Sequence, residues 1–343
     1  MIADAHLDLA YNVTRGRDLR MPAREQPVAD NEIATVGLPD LREGGVDLIC
    51  ATIFCRPAGY GKEGYTTGEE AREQALWQLE YYRQLEEAGD LRILRGTGGP
   101  PVSSIENEHG RAAHATLNAI LLLEGADALR SPEDVKEFFD AGVRIIGLSW
   151  RNSFYAGGTG HPGPITPRGC ELVREFDRFG IIHDMSHLSD ESFFQLFELT
   201  NGPVIASHSN CRAIVGEGDR HLTDEMIRAI VARDGIIGIN FYDQFLLPVS
   251  EYGNRRATLK DVVAHIRHIC DLAGDANHVG LGTDMDGGLG RNEIPVEIET
   301  SADLPRVGDA LSDAEFSDPE IRRILSENWV GFFDRNLAQV ARP

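Results

Sequence analysis

The sequence predicts a (β/α)8 TIM barrel, and three observations carry that expectation. Eight short apolar runs rich in β-branched residues recur along the 343 residues, at 2–7, 46–54, 119–123, 143–148, 180–184, 204–207, 236–240 and 279–283. Segments with helical spacing of apolar residues separate them, and this alternation is the pattern of βαβ units on a parallel sheet. Side chains able to bind metals or move protons gather at the C-terminal ends of five of the runs, the edge where such barrels keep their chemistry. A doubly wound open sheet is the competing arrangement, and eight strand candidates fit it less well.

In chain order, run 2–7 is followed by residues 12–45, which hold Arg15, Arg17, Arg20 and Arg24 and read as a long loop or hairpin. Run 46–54 leads into 56–76, with Gly59, Gly61, Gly64 and Gly68, read as a loop running into a helix that reaches about Ala88. Long loops are uncommon unless functional, so both are candidates for covering a site. Ser131-Pro132-Glu133-Asp134 starts a helix over 135–139, Thr223-Asp224-Glu225 one over 226–231, and Thr258 caps a third over 261–272. No linker or repeat divides the chain. It is therefore read as one barrel domain over 1–343, with loop insertions at about 12–45 and 56–76.

Composition excludes several classes. Lys plus Arg total 33 against 55 Asp plus Glu, a formal net charge of −22. Nucleic-acid binding rests on basic patches that neutralise phosphates, so it is excluded as the main role. The longest apolar stretch, 48–55, is far too short to span a bilayer, so no membrane partner is expected. The N-terminus MIADAHLDLA lacks a basic region and a long apolar segment, so a cytoplasmic location is expected unless a leader has been trimmed. Cys50, Cys55, Cys170, Cys211 and Cys270 are odd in number and contain no CxxC pair, which suits reduced, buried thiols.

His6 and Asp8 stand two apart at the end of the first run, so their side chains share a face. Glu124 directly follows run 119–123, where a buried carboxylate is costly unless paired or metal-bound. His187 lies just past run 180–184, His208 just past 204–207, and Asp284 ends 279–283. Three histidines and three carboxylates exceed what one tetrahedral catalytic ion with an open position needs. Two ions sharing a bridging carboxylate use them more naturally, and such pairs, about 3.5–4 Å apart, activate water for hydrolysis.

DAHLDLAYN around His6 and Asp8, LLLEG around Glu124, DMSHLS around His187, ASHSNCRA around His208 and GTDMDGG around Asp284 resemble the renal (membrane) dipeptidase family, a branch of the amidohydrolase-like barrels. The resemblance runs to the closing segment SENWVGFFDRNL. It implies a metal-dependent hydrolase barrel with two Zn²⁺ per chain: His6 and Asp8 on one ion, His187 and His208 on the other, and Glu124 bridging both. It further implies a hydroxide held between the ions that attacks dipeptides, including L-Xaa-D-Xaa substrates such as L-Ala-D-Ala. By the same match Asp284 is the acid/base, and Arg220 in GDRHLTDE clamps the substrate's C-terminal carboxylate. The mammalian enzymes have a Thr-His pair where this chain has Ser149-Trp150, so Trp150 is expected to form a wall of the pocket. A homodimer is compatible with this reading.

Two other readings stand beside it: the same metal centre acting on N-acyl amino acids, another small amide or a lactone, and a non-catalytic barrel scaffold. Asp286 could replace Asp284 if the last strand ends later. His183 could touch the site or pack in the barrel. Arg212 reads as a partner of a helix carboxylate more than of substrate. His161, His221, His265, His268 and His278 are expected to be surface or structural, and His109 and His114 fall in no motif.

Overall fold

A computed structural model describes residues 1–28, 32–60, 64–96, 101–107, 116–216 and 218–337; His109 and His114 lie outside them. The strands are β1 (Ile2–Leu7), β2 (Val46–Phe54), β3 (Leu91–Ile93), β4 (Leu117–Glu124), β5 (Val143–Gly147), β6 (Ile182–Asp184), β7 (Val204–Ala206), β8 (Ile236–Ile239) and β9 (Val279–Leu281). They pair in parallel in the order β2-β1-β9-β8-β7-β6-β5-β4, and a β2–β4 ladder closes the ring. The fold is the expected (β/α)8 barrel. β3 is extra: it pairs with the N-terminal part of β4, from Leu91 opposite Leu117 to Ile93 opposite Ala119. It leaves no apolar run in the sequence because Arg92 interrupts three residues.

Several runs stop being strand one or two residues early, for a common reason. The main-chain N–H groups of Ser207, Asn240 and Thr283 donate to the side chains of Asp184 (2.9 Å), Asn210 (2.9 Å) and Asp4 (2.9 Å). At the barrel mouth, buried side-chain acceptors take over from the ladder, which satisfies the backbone where the strands splay.

Two apolar layers follow from the period-2 alternation. Ile49, Ala119 and Leu121 face the helices and join a core with Leu79, Phe138, Ile227 and Ile266. Leu48, Cys50, Ile120, Leu122, Ile145, Ile182, Ile205 and Ile236 fill the barrel with Trp329, Phe332 and Phe333 of the closing helix Asn328–Leu337. The Trp329 indole donates to the carbonyl of Leu281 at 3.0 Å. That packing needs Gly280, where a Cβ would sit 2.3 Å from the indole nitrogen.

The predicted helices form as Asp134–Ala141, Asp224–Ala232 and Leu259–Ala273. Thr223 Oγ1 accepts from Met226 N at 3.2 Å, and Thr258 with Asp261 makes a capping box. After β2 the helix is Gly68–Glu87, so it begins well before residue 76; Thr67 caps it by accepting from Glu70 N. The stretch after β1 contains helices Leu9–Thr14 and Leu38–Glu43 and a 3₁₀ turn at Ala23–Glu25. All five cysteines are free thiols, and among the described residues no helix is long and apolar enough to cross a membrane.

Candidate metal centre and active site

The site begins with an irregularity in β1. Asp4 pairs with Ile49 and Leu7 with Ala51, so β1 advances three residues while β2 advances two. Such a bulge re-aims the side chains beyond it. Ala3 and Ala5 lie in the barrel interior and Leu7 in the outer layer, which turns His6 and Asp8 toward the mouth. Asp4 holds the bulge: its Oδ1 accepts from His6 N (3.2 Å) and Thr283 N (2.9 Å), and its Oδ2 from Thr283 Oγ1 (2.6 Å). Glu124 needs no such device, since it continues the inward alternation of Ile120 and Leu122 and is the last residue of β4.

The six expected side chains converge. His6 Nε2 lies 3.5 Å from Glu124 Oε2, 3.8 Å from Asp8 Oδ1 and 3.9 Å from Asp284 Oδ1. His187 Nε2 and His208 Nε2 are 2.9 Å apart and lie 3.1 and 3.4 Å from Glu124 Oε1. Two donor triads result, His6–Asp8–Glu124 and Glu124–His187–His208, and a third group joins His6, His208 and Asp284. Each oxygen of Glu124 faces a different triad. Backbone strain accompanies the arrangement: His187 and Asp284 have φ of 67° and 58°, in the left-handed region that ordinary residues avoid.

Hydrogen bonding fixes which imidazole nitrogens face the centre. Ser207 Oγ donates its one proton to Asp184 Oδ2 at 2.5 Å, so it can only accept from His6 Nδ1 (3.1 Å) and His208 Nδ1 (2.7 Å). Thr159 Oγ1 accepts from His187 Nδ1 at 3.0 Å and donates to His187 O. All three Nε2 lone pairs therefore point inward, and His6 Nε2 is buried without a hydrogen-bond partner.

Burial pushes Asp8 up to about 7, and Glu124 and Asp284 each to about 8; repulsion among the carboxylates adds to this at Asp8 and Asp284. Burial also holds the His187 and His208 imidazoles well below their ordinary range. Neutral imidazoles and crowded carboxylates with converging lone pairs are a donor set that divalent cations satisfy, and N/O donors of this kind suit zinc. The residues fit a metal centre.

Around it opens a cavity of about 260 Å³, lined among others by Asp8, Glu124, His187, Arg220, Trp150 and Asp284. Arg220 is buried; its Nη2 donates to His208 O (2.6 Å) and Nη1 to Ser209 Oγ (3.1 Å), while its Nε has no hydrogen-bond partner. Trp150 stands in the wall, with its ring centroid 5.1 Å from Phe54, 5.2 Å from Tyr60 and 6.0 Å from His187.

Other candidates lie elsewhere. Asp286 points away from the centre and binds Arg17 Nη1 (2.7 Å), Thr35 N and Oγ1 (both 2.8 Å) and Val36 N (3.0 Å). His183 faces the helix layer, 2.9 Å from Asp177 and against Phe176, because it alternates with the inward Ile182. Arg212 grips Asp190 with two bonds (2.8 and 2.6 Å). His265 and His278 bond main-chain groups, His268 pairs with Asp224, His221 packs edge-on against Phe245, and His161 meets the hydroxyl of Tyr60. Sequence reasoning missed Asp4, Thr159, Asp184, Ser207 and Asn240, which orient the donors, and Arg56 and Arg151 in the wall. The Asp and Ser of DMSHLS and ASHSNCRA were visible as motif letters but carried no role.

The profile of the family described as membrane dipeptidase (peptidase family M19) matches residues 1–341. The chain belongs to this family. M19 proteins are metal-dependent hydrolases of dipeptides, and the chain is similar along most of its length to individual members. An uncharacterised dipeptidase of Schizosaccharomyces pombe is 29% identical over 274 residues, which cover 76% of this chain and 62% of that protein. A dipeptidase of Claviceps purpurea is 25% identical over 335 residues, covering 95% of this chain and 74% of the relative. The crystal structure of a Rhodobacter sphaeroides metallopeptidase, liganded with a phosphinate mimic of L-Ala-D-Ala, superposes with a TM-score of 0.80 at 25% identity, covering 98% of this chain and 99% of that one.

Proposed function

We propose that this M19 chain is a binuclear zinc dipeptidase that cleaves dipeptides, L-Xaa-D-Xaa substrates among them. The observation that carries the reading is the division of Glu124, with Oε2 toward His6 and Oε1 toward His187 and His208. On it, His6 and Asp8 would hold one ion, His187 and His208 the other, and Glu124 both. When bound, the ions activate water and polarise the scissile carbonyl.

The chain's own residues do the rest. Asp284 Oδ2 accepts from Asn240 Nδ2 at 2.8 Å, which leaves Oδ1 directed toward the centre. Burial raises its carboxyl to about 8, while nearby cations would favour its ionised form, the form that accepts a proton. Asp284 takes the proton of the attacking water and delivers it to the departing amine nitrogen. Arg220 is anchored by His208 O and Ser209 and keeps an N–H for the substrate's C-terminal carboxylate. Its fork suits a carboxylate better than a lysine ammonium would. Trp150 bounds the pocket and offers only an indole N–H donor, so it neither gives nor takes a proton there. The phosphinate mimic of L-Ala-D-Ala bound in the R. sphaeroides structure supports L-Xaa-D-Xaa substrates as the first to assay.

The test is turnover of L-Ala-D-Ala and L,L-dipeptides against N-acyl amino acids and lactones, with zinc restored to chelated protein. Dipeptides should be cleaved at least 100-fold faster, and only with metal present. Preference for an N-acyl amino acid or lactone would move the reading to another amidohydrolase activity.

A further inference from the structure

Four arginines line the cavity: Arg15, Arg56, Arg151 and Arg220. Its four acids are Asp8, Glu124 and Asp284 in the donor cluster and Glu32, which binds Arg15 at 2.7 Å. Arg56 and Arg151 have no carboxylate partner among the described residues, and the Nε of each is buried without a hydrogen bond. Both side chains are half-buried in the cavity wall and not exposed on the surface.

Both guanidinium groups are held in place without being neutralised. Arg151 lies 5.1 Å from the Trp150 ring and 5.2 Å from that of Tyr60, and Arg56 lies 5.4 Å from Tyr11 and donates to Tyr60 O at 3.4 Å. Stacking on aromatic faces orients the planar fork and leaves its edge free for an anion. Trp150, against which Arg151 packs, has its ring centroid 6.0 Å from that of His187. Arg151 therefore borders the His187 side of the pocket, the side on which Arg220, the proposed carboxylate clamp, is held by His208 O. One carboxylate occupies Arg220, and two cations remain.

Resting on the dipeptidase reading, we propose that the preferred substrates are dipeptides whose C-terminal residue carries an acidic side chain, with Arg151 as the main specificity residue and Arg56 its auxiliary. The bond broken and the products are those of any dipeptide hydrolysis; only recognition changes.

The test compares L-Ala-D-Glu, L-Ala-D-Asp, L-Ala-D-Gln and L-Ala-D-Ala on the zinc-loaded parent, Arg151→Met and Arg56→Met. In parallel, calorimetry measures the Kd of phosphinate mimics of L-Ala-D-Glu and L-Ala-D-Gln. The acidic substrates should exceed D-Gln by about 10- to 100-fold in kcat/KM, through KM, as expected for a charge-assisted bond. Arg151→Met should erase most of that ratio and Arg56→Met part of it, read as the D-Glu to D-Gln ratio within each variant. Equal handling of D-Glu and D-Gln by the parent, or an acidic preference that survives in both variants, would overturn the proposal. If no dipeptide turns over, the dipeptidase reading fails, and the phosphinate Kd ratio still decides whether Arg151 selects an acidic side chain.

Discussion

Asp284 shows at the scale of one residue how the fold sets chemistry. Its left-handed φ of 58°, the Asn240 amide on Oδ2 and the close approach of Gly287, where a Cβ would lie 1.8 Å from Oδ1, allow the carboxylate essentially one orientation. Asp284→Asn keeps size and removes titration, so kcat should fall by roughly 10² or more with metal content unchanged. If Asp284 instead served only to orient His6, the Asn variant would lose metal by about 10- to 100-fold in affinity, and kcat and bound metal measured on the same sample separate the two. The donor residues themselves were legible because imidazole and carboxylate at strand ends are expensive unless used. The residues that orient them were not. Nothing in the letters says that Ser207 spends its proton on Asp184 and so turns two histidines inward.

Among the elements, β1 and the segment that follows it depend on buried polar fasteners. The bulge in β1 defeats simple alternation: the HxD spacing says that His6 and Asp8 share a face, but only the register slip between Asp4 and Leu7 makes it the inner one. The strand runs were readable from apolar periodicity, whereas β3, three residues with a central Arg92, was not. Asp286 fastens the stretch after β1 to the loop after β9 by accepting from Thr35, Val36 and buried Arg17. Asp286→Ala removes the nearer carboxylate from the buried Arg17 guanidinium and leaves it Glu32, whose carboxylate is 3.9 Å away and whose carbonyl accepts from Nη2, so the loss should approach that of a broken buried pair, about 3–5 kcal/mol. Chemical denaturation of the metal-loaded variant should show a loss of that size with both metals still bound at low denaturant. A loss under about 1 kcal/mol would mean that the pair contributes no more than a surface contact.

Over the whole molecule, closing eight strands drives three carboxylates and three imidazoles, all buried, into one mouth, and the metal-free protein carries the electrostatic cost. Asp8, Glu124 and Asp284 titrate near 7 to 8 when folded but near 4 when unfolded. The folded state therefore binds more protons, and the stability this contributes is present at low pH and lost as pH rises through 7 to 8. His187 and His208 are depressed when folded, so their contribution grows with pH only up to the ordinary imidazole value and is flat above it. Between pH 7 and 8 the carboxylates dominate, because the buried thiols of Cys50, Cys55, Cys211 and Cys270, held above their ordinary range, add to the pH dependence only as the unfolded thiols ionise above about pH 8. Across that window the Tm of the metal-free protein should fall while that of the zinc-loaded protein holds nearly steady. Parallel Tm curves for the two forms would show that the carboxylates are not the groups that carry the strain.

The measurement that bears most directly on the central claim is metal stoichiometry in active protein, by elemental analysis of the parent and of Glu124→Gln alongside dipeptide turnover. A carboxylate shared by two triads predicts two zinc ions per chain in the parent, and loss of occupancy at both sites together with turnover in the variant. One tightly bound ion per fully active chain, or a Glu124→Gln variant that keeps two ions and normal turnover, would contradict it.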